Sequence, residues 1–298
     1  MLLNLREYHR PAASGKGLDQ ALDLLARPGI HTVPLAGGDA LVGSGDPAVE
    51  AVVDLQGLGL DTMTLAGQPP AFRIGALVTR GALGNAAPAQ DSHSGIIASS
   101  ARSWGGSVQR NRATVGGAVI AAGANDPLVA VLLACGAVAV YYDRSGAHEL
   151  SLADFLPRRA DLLNKPEAPA LLIEILVPLP TGRCGGGLAT VGRTPADAPI
   201  VLAAATLIID VDSSEPRCIG ARLALGGVAG SPLRLMPVEE ALVGQALHPA
   251  LMAAAGEHAA AIVDPQGDFR GSAAYRRAMA GILSERALRQ AWANCREG

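Results

Sequence analysis

Two pairs of adjacent glycines, each following a strand-like run, are the residues with the clearest potential for chemistry. Gly37-Gly38 follows the run HTVPLA, and Gly116-Gly117 follows RATV. Glycine lets the backbone take a positive φ and leaves no Cβ between successive amide N–H groups and an anion. A loop of this kind can form a concave anion-binding nest. Each pair therefore predicts either a phosphate-binding loop or an ordinary turn at the end of a strand.

The residues around the glycine pairs exclude two common nucleotide-binding motifs but leave the role of each pair open. Neither pair fits G-x-G-x-x-G or G-x-x-x-x-G-K-[ST], so neither Rossmann nor P-loop binding is indicated. Arg110 and Arg112, ahead of the second pair, could contact phosphate or form interface and carboxylate pairs. Asp126 could accept a hydrogen bond from a ribose or ribityl hydroxyl, or cap a helix that begins at Pro127.

Other constellations point away from chemistry carried by this chain itself. No two of the 6 histidines are spaced i, i+3 or i, i+4, and the 4 cysteines form no C-x-x-C pair. These spacings argue against a local zinc or iron–sulfur site. No G-x-S-x-G elbow is present. We therefore expect no metal ligands and no catalytic residue, and predict mostly reduced, buried thiols.

Composition and charge indicate a globular protein without a polyanionic partner. The chain is 49% hydrophobic and 17% charged, which is typical of a globular protein. Its 298 residues are enough for about two domains. A net charge of −3 with scattered arginines disfavours nucleic-acid binding. The apolar runs are shorter than the ~20 residues of a membrane helix. Charge appears early in MLLNLREYHRP, which is unlike a signal peptide, so we expect no membrane insertion and a cytoplasmic location.

The hydrophobic pattern changes near residue 180. Before it, helix and strand patterns alternate, beginning with a helix in GLDQALDLLARPG and strands in HTVPLAGG, AVVDL and AFRIGALVT. After the glycine-rich stretch at 185–187 come three β-rich runs, at 187–193, 200–211 and 218–229, and then helices. This order predicts an antiparallel sheet with helices. The last helix is predicted from Ser272 to about Trp292, with Tyr275 and Met279 facing the core and Arg276 and Arg277 supplying charge.

A resemblance covers almost the whole chain. The segments REYHRP, PLAGGDAL, VVDL, FRIGALVT, QRNRATVGG, DPLVAVLLACGA, LGGVAGSPLR and GDFRGSAAYRRAMAGILSERAL occur in this order. The sequence thereby resembles the FAD-binding medium subunit of molybdenum hydroxylases, the family of carbon monoxide dehydrogenase and xanthine dehydrogenase. The resemblance implies an α+β fold with a two-lobed FAD-binding domain at 1–180, its lobes at about 1–57 and 58–180. A C-terminal domain of antiparallel sheet plus helices would follow at 181–298.

The resemblance also implies which residues contact FAD. Both glycine loops would hold the diphosphate through backbone N–H groups, the segment after the second loop would touch the cofactor, and an Arg-x-x-x-Asp pattern would lie near the flavin ring. Carried over to this sequence, the implied residues are Ala36, Gly37, Gly38, Asp39, Ala40 and Leu41 in the first loop; Thr114, Val115, Gly116 and Gly117 in the second; Gly123, Asn125 and Asp126 after it; and Arg193 and Asp197 near the ring.

The chain departs from the family pattern near both parts of this implied site. Ala118 stands where the family usually has Asn, and Ala198 stands where carbon monoxide dehydrogenase-like members place a ring-stacking Tyr. The segment after the first loop is also short. These departures motivate a second hypothesis, in which the chain is a structural subunit that has lost or weakened FAD binding.

The function implied by the resemblance is electron transfer within a complex. A large partner would carry molybdopterin, and a small partner would carry [2Fe-2S] clusters. This chain's FAD would pass electrons from those clusters to an external acceptor, which could be NAD, a quinone or oxygen. A dimer of heterotrimers is the implied assembly. A free-standing flavin oxidase is a third, weaker hypothesis, because no substrate domain is evident.

Overall fold

The computed structural model describes residues 4–12, 15–103, 105–165, 167–194, 197–210 and 217–297. The chain forms two compact units, each assembled from separate segments. Unit 1 takes residues 1–82, 107–121 and 138–177, and unit 2 takes residues 83–106, 122–137 and 178–298. The described strands are β1 (Glu7–His9), β2 (Thr32–Leu35), β3 (Ala51–Asp54), β4 (Met63–Ala66), β5 (Ala71–Gly75), β6 (Val138–Asp143), β7 (Gly146–Ser151), β8 (Leu171–Pro178), β9 (Arg183–Val191), β10 (Val201–Ile209), β11 (Cys218–Gly226) and β12 (Leu233–Arg234).

The described α-helices are mostly short. They are α1 (Gly17–Leu25), α2 (Asp39–Ser44), α3 (Arg80–Asn85), α4 (Ala87–Asp91), α5 (Ile96–Arg102), α6 (Ser107–Arg110), α7 (Val115–Ala121), α8 (Pro127–Ala134), α9 (Leu152–Leu163), α10 (Met236–Leu242), α11 (Pro249–Ile262) and α12 (Ala273–Glu297). Two 3₁₀ turns are also described, Leu55–Leu58 between β3 and β4 and Ser92–Gly95 between α4 and α5. None of the described helices is long and apolar enough to span a membrane.

Unit 1 contains two sheets. The first is parallel, with the strand order β1-β3-β2, and its central strand β3 is buried at every position. Ala21 and Leu22 of α1 are fully buried in the cluster that includes Val53 of β3, as the predicted apolar face of this helix requires. The second sheet has the order β4-β5-β8-β6-β7, and β6 pairs antiparallel with both of its neighbours. Because β1, β3 and β2 are parallel, their carboxyl ends meet at one edge.

Unit 2 is built on an antiparallel sheet of strand order β12-β11-β10-β9. On one face, α12 packs against β9 and β10, with α11 beside it. On the other face α8, whose residues are all buried, packs against β10 and β11. The predicted α+β class and the sheet-plus-helix C-terminal part are confirmed. The predicted run at 200–211 is β10 as far as Ile209, and its last residue, 211, lies outside the described residues.

The three glycines at 185–187, close to the predicted boundary near residue 180, lie inside β9. A Cβ on Gly185 would lie 2.0 Å from the Ala291 carbonyl oxygen of α12, and one on Gly187 would lie 2.0 Å from that of Ala287. On the opposite face, a Cβ on Gly186 would lie 2.3 Å from the His93 carbonyl oxygen. These glycines are strand residues because the helix and the turn approach the sheet too closely for a side chain.

The predicted core face of α12 was partly wrong. Tyr275 is 38% exposed and Met279 is partly buried, whereas Arg276, which the sequence assigned to the charged face, is 6% exposed. The guanidinium of Arg276 donates to the carbonyl oxygens of Ile200 at 3.0 Å and Gly227 at 2.8 Å, and to Asp268 at 2.7 Å. An arginine with five N–H donors can be buried where several acceptors converge. A periodicity argument that assigns charge to the surface misses such a residue.

All four cysteines are free thiols, and Cys135, Cys218 and Cys295 are buried. Burial raises the pKa of both Cys184 and Cys218 to about 11. They are therefore protonated and unreactive at neutral pH. Among the described residues, no group of three or more His, Cys, Asp or Glu side chains is placed to hold a metal ion.

Candidate functional site

A cavity of about 790 Å³ in unit 1 includes residues that follow each strand of the parallel sheet. Arg10 follows β1, Gly37 and Gly38 follow β2 and Gln56 follows β3, and all four line the cavity. In parallel α/β sheets, ligands bind in the crevice outside the carboxyl ends of the strands. The volume falls within the roughly 300–1,000 Å³ of small-molecule sites. Position and size therefore make this cavity the candidate site.

The first glycine pair is fixed against the segment that precedes the second pair. A Cβ on Gly37 would lie 1.7 Å from the carbonyl oxygen of Arg112, so no other residue fits without moving the backbone. Gly38 has φ of 76° and stands immediately before α2. This left-handed conformation favours glycine. The glycines therefore let the backbone of the first loop form part of the cavity wall.

The amide groups of the first loop are open to a ligand. Within the described part of the chain, the amide N–H groups of residues 37–41 donate to no protein acceptor, and the first bond of α2 runs from Val42 N to Gly38 O at 2.9 Å. Amides at the start of a helix have no partner inside the helix and bind anions readily. Asp39, Ala40 and Leu41 form the first turn of α2, so the predicted first loop continues directly into that helix.

The second glycine pair is helical, which corrects its predicted loop conformation. Val115, Gly116 and Gly117 form the start of α7, and neither glycine has a positive φ. The Gly116 amide donates to the Ala76 carbonyl at 2.8 Å, and the Gly117 amide to Thr114 Oγ1 at 3.1 Å. Val115 N donates to Val78 O at 2.8 Å. The amides of Val115 and Gly116 thus dock α7 onto the segment after β5, and that of Gly117 bonds to the residue that precedes the helix.

The two loops consequently differ in how they fit a diphosphate. The first loop offers unpaired amides around a conformation that a Cβ would obstruct, and it fits such a group. Of the second segment only Thr114 lines the cavity, and its hydroxyl can still donate while Oγ1 accepts from Gly117. The residues present therefore fit the diphosphate of FAD through the first loop and Thr114.

Arg10, on the same wall, already has an anionic partner. Its Nε lies 3.7 Å from Oδ2 of Asp54, whose side chain is 4% exposed. Asp54 also accepts from the Gln56 amide at 2.9 Å and from the Tyr8 hydroxyl. The Tyr8 hydrogen bond to this carboxylate raises the pKa of the tyrosine. Asp54 thus organises the carboxyl ends of β1 and β3 beside the cavity.

The remaining predicted residues belong to unit 2. Asp126 Oδ1 accepts from the amides of Leu128 at 2.9 Å and Val129 at 3.3 Å, which confirms that Asp126 caps α8. The side-chain amide of Asn125 donates to the Pro199 carbonyl, and this contact brings the loop at 123–126 beside the segment that follows Asp197. Arg193 and Asp197 form an ion pair at 3.6 Å.

Sequence reasoning missed several residues of the cavity wall, including Arg10, Gln56, Thr79 and Asn111. Arg10 and Gln56 could have been found, because each comes just after a strand of a sheet whose carboxyl ends share one edge. Thr79 could not, since its place depends on the isolated bridge that it forms with Thr114.

The family model of the FAD binding domain in molybdopterin dehydrogenase matches residues 5–180. The chain belongs to this family. The model of the CO dehydrogenase flavoprotein C-terminal domain matches residues 189–291. The resemblance seen in the sequence is therefore confirmed: the protein is an oxidoreductase subunit of the molybdenum hydroxylase type with an FAD-binding domain.

Individual relatives are similar to this chain over nearly their whole lengths. The chain is 29% identical to the carbon monoxide dehydrogenase medium chain of Afipia carboxidovorans, covering 97% of this chain and 98% of the relative. It is 31% identical to the uncharacterized protein YgfM of Escherichia coli, covering 94% and 93%. The fold matches a carbon monoxide dehydrogenase from Hydrogenophaga pseudoflava that lacks the Mo-pyranopterin moiety of its cofactor, with a TM-score of 0.86 and 27% identity over 99% of this chain and 100% of that one.

Proposed function

We propose that this chain binds FAD with the diphosphate against the first glycine loop and transfers electrons within a molybdenum hydroxylase complex. The observation that carries the proposal is the cavity at the carboxyl ends of β1, β2 and β3, which is lined by Gly37 and Gly38, whose amides donate to no described protein acceptor. The cofactor supplies the redox chemistry, and the protein's part is to bind, orient and tune it.

Residues of this chain would carry out three tasks at the site. The first-loop amides and the Thr114 hydroxyl would donate to the diphosphate oxygens. Gly37, held against Arg112, would keep the loop from collapsing into the cavity. The buried Asp54 would hold Arg10 and Gln56 in place on the wall. None of these tasks needs an acid, base or nucleophile from the chain, in keeping with the absence of a predicted catalytic residue.

The proposed complex includes two partner subunits. An iron–sulfur small subunit would deliver electrons, and a molybdopterin large subunit would oxidise the substrate, in a dimer of heterotrimers. The naming of the Afipia and Hydrogenophaga relatives as medium chains supports an assembly with other chains. The external acceptor would be NAD, a quinone or oxygen.

A second candidate is a structural subunit of the same complex with weak or lost FAD binding. The observation in its favour is that the amides of Val115, Gly116 and Gly117 already donate hydrogen bonds to protein acceptors, so they are not available to a diphosphate. Ala118 is 8% exposed within α7 and adds no polar group there. In this case the cavity would persist as a remnant of the family site.

Flavin content separates the two candidates. We expect the full chain, co-expressed with the partner subunits and purified, to carry about one FAD per chain, released by acid and quantified by its absorbance. Apoprotein should regain the flavin spectrum when FAD is added. A well-folded chain that carries no flavin and takes up none from excess FAD would contradict the proposal and leave the structural subunit.

A further inference from the structure

Arg112 presents a cationic side chain to the first glycine loop. It follows α6, lines the cavity and is exposed. Its Nη2 lies 3.7 Å from the position that a Cβ on Gly38 would occupy, while its carbonyl oxygen lies against Gly37. The backbone at Arg112 and Ala113 is anchored by hydrogen bonds from the Arg112 amide to Gln109 O at 3.0 Å and from the Arg80 amide to Ala113 O at 2.9 Å. The guanidinium therefore starts from a fixed backbone and lies beside the open amides of the loop.

The charge of Arg112 is not neutralised by the protein. Within the described residues, Arg112 forms no ion pair or side-chain hydrogen bond, whereas Arg10 on the same wall is paired with Asp54. Asp61 also lines the cavity, but among the described residues it pairs with neither arginine. An anion above Gly38 would therefore meet one guanidinium that is available for pairing.

The anion that fits this arrangement is a diphosphate. The second glycine pair contributes no free amide, so of the two pairs only the first can donate backbone hydrogen bonds to an anion. A diphosphate carries about two negative charges, and Arg pairs with phosphate oxygens through two parallel hydrogen bonds that are stronger than those between neutral groups. Removing Arg112 would leave the first loop with neutral donors only.

We propose that Arg112 binds the diphosphate of FAD over Gly38 and makes the site selective for the dinucleotide over flavins without a diphosphate. This inference rests on the proposed function, because it assigns a residue within the same FAD site. Arg112 acts as a binding residue and takes no part in the redox reaction.

The test compares ligands with and without a diphosphate on the full chain stripped of flavin. Binding of FAD, ADP and riboflavin would be measured by fluorescence quenching or calorimetry at two salt concentrations. We expect Arg112→Gln to weaken FAD and ADP binding about 10- to 100-fold, as loss of a charge-assisted hydrogen bond implies, and to leave riboflavin binding unchanged. The salt dependence of FAD binding should also become shallower.

Two variants serve as controls. Arg144→Gln removes an exposed arginine of the same unit that is paired with Asp23, and it should bind all three ligands like the wild type. Arg112→Lys should restore part of the FAD affinity, since it returns the charge without the bidentate geometry.

The outcomes separate the inference from the function. Wild-type binding of FAD together with unchanged binding by Arg112→Gln would overturn the inference alone. An equal loss for riboflavin and FAD would also overturn it, because the effect would then be structural. Failure of the wild type to bind FAD at all would overturn the proposed function and the inference with it.

Discussion

The two glycine pairs of unit 1 share a dipeptide but differ in what surrounds them. Gly37-Gly38 lies in a loop with unpaired amides beside a cavity, whereas Gly116-Gly117 lies in a helix with its amides bonded to protein. In the first pair glycine forms part of a cavity wall, which we propose as the ligand surface, and in the second it allows α7 to pack closely on Ala76. A Gly-Gly dipeptide can therefore line a cavity or allow close packing of a helix. The two uses are distinguished by whether the glycine amides bond to protein acceptors.

The strongest test of the comparison is Gly37→Ala. Its Cβ would lie 1.7 Å from the Arg112 carbonyl oxygen, so the loop must shift away from Arg112. We expect the free energy of unfolding in urea to fall by about 3 kcal/mol and FAD binding to be lost, as overpacking against backbone implies. The matched control is Gly43→Ala in the neighbouring helix, where a Cβ has no atom within 4 Å, and which should be neutral or slightly stabilising. Equal stability of the two variants would contradict this account.

The histidine that packs against Gly186 in unit 2 should make the stability of the protein sensitive to acid. His93, which lies against Gly186, is 5% exposed, and burial followed by the nearby Arg222 charge lowers its pKa to about 4. Because the folded pKa of His93 is below the unfolded value of about 6.5, the unfolded chain takes up a proton more readily than the folded one. The free energy of unfolding is therefore at its full value above pH 6.5 and decreases as the pH falls toward 4. The loss should reach about 3 kcal/mol, measured by urea unfolding across that range.

His93→Asn should remove most of this pH dependence. Asn tolerates the left-handed backbone of His93, whose φ is 49°, and it does not titrate. His258→Asn on α11 is the matched control for replacing a histidine by asparagine. An unchanged slope in His93→Asn would assign the acid sensitivity to another group.

Gly116→Ala should reduce stability without altering the flavin site. Its Cβ would lie 2.8 Å from both the Cβ and the carbonyl oxygen of Ala76, so α7 must move. We expect the free energy of unfolding to fall by about 2 kcal/mol, with the FAD Kd of the folded protein within about threefold of the wild type. A selective loss of FAD binding would show that the second pair contacts the ligand directly.

Gly117→Ala should have the smallest effect. Its Cβ meets only Thr114 Oγ1, at 2.9 Å, and a rotation of that side chain would relieve the contact. A helix-propensity gain of up to about 1 kcal/mol offsets the weakened hydrogen bond of similar size. The Tm should therefore shift by only a few degrees, and FAD affinity should fall by at most about tenfold, because the rotated Thr114 hydroxyl would lose one hydrogen bond to the diphosphate. A loss of a hundredfold or more in a stable variant would restore the original phosphate-loop hypothesis for this pair.

Local patterns predicted most elements of the fold. The apolar spacing of Ala21 and Leu22 predicted the buried face of α1, and the β-rich runs before and after residue 200 predicted β9, β10 and β11. Asp126 followed by Pro127 predicted the capped start of α8. These features depend on short-range chemistry, which the sequence shows directly.

The predictions were wrong where contacts between residues far apart in the sequence determine a residue's conformation or burial. Gly116 and Gly117 read as a loop because glycine marks turns, yet their amides bond to Ala76 and Thr114 within a helix. Arg276 read as surface charge, although carbonyls from residues 200 and 227 surround it. In the cavity wall, Arg112 stood within the quoted motif, but its relation to Gly38 depends on a contact between residues more than 70 positions apart.

The discontinuous layout of unit 2 also has a consequence for biosynthesis. The wholly buried helix α8 leaves the ribosome well before β10 and β11, the strands that cover it. Thr206 of β10, whose hydroxyl donates to the Ala134 carbonyl of α8 at 2.6 Å, is added to the chain about 70 residues after Ala134. At about 5–20 residues per second, the nascent chain holds this apolar segment without its partner strands for several seconds. This central segment of the chain therefore needs protection from aggregation during synthesis.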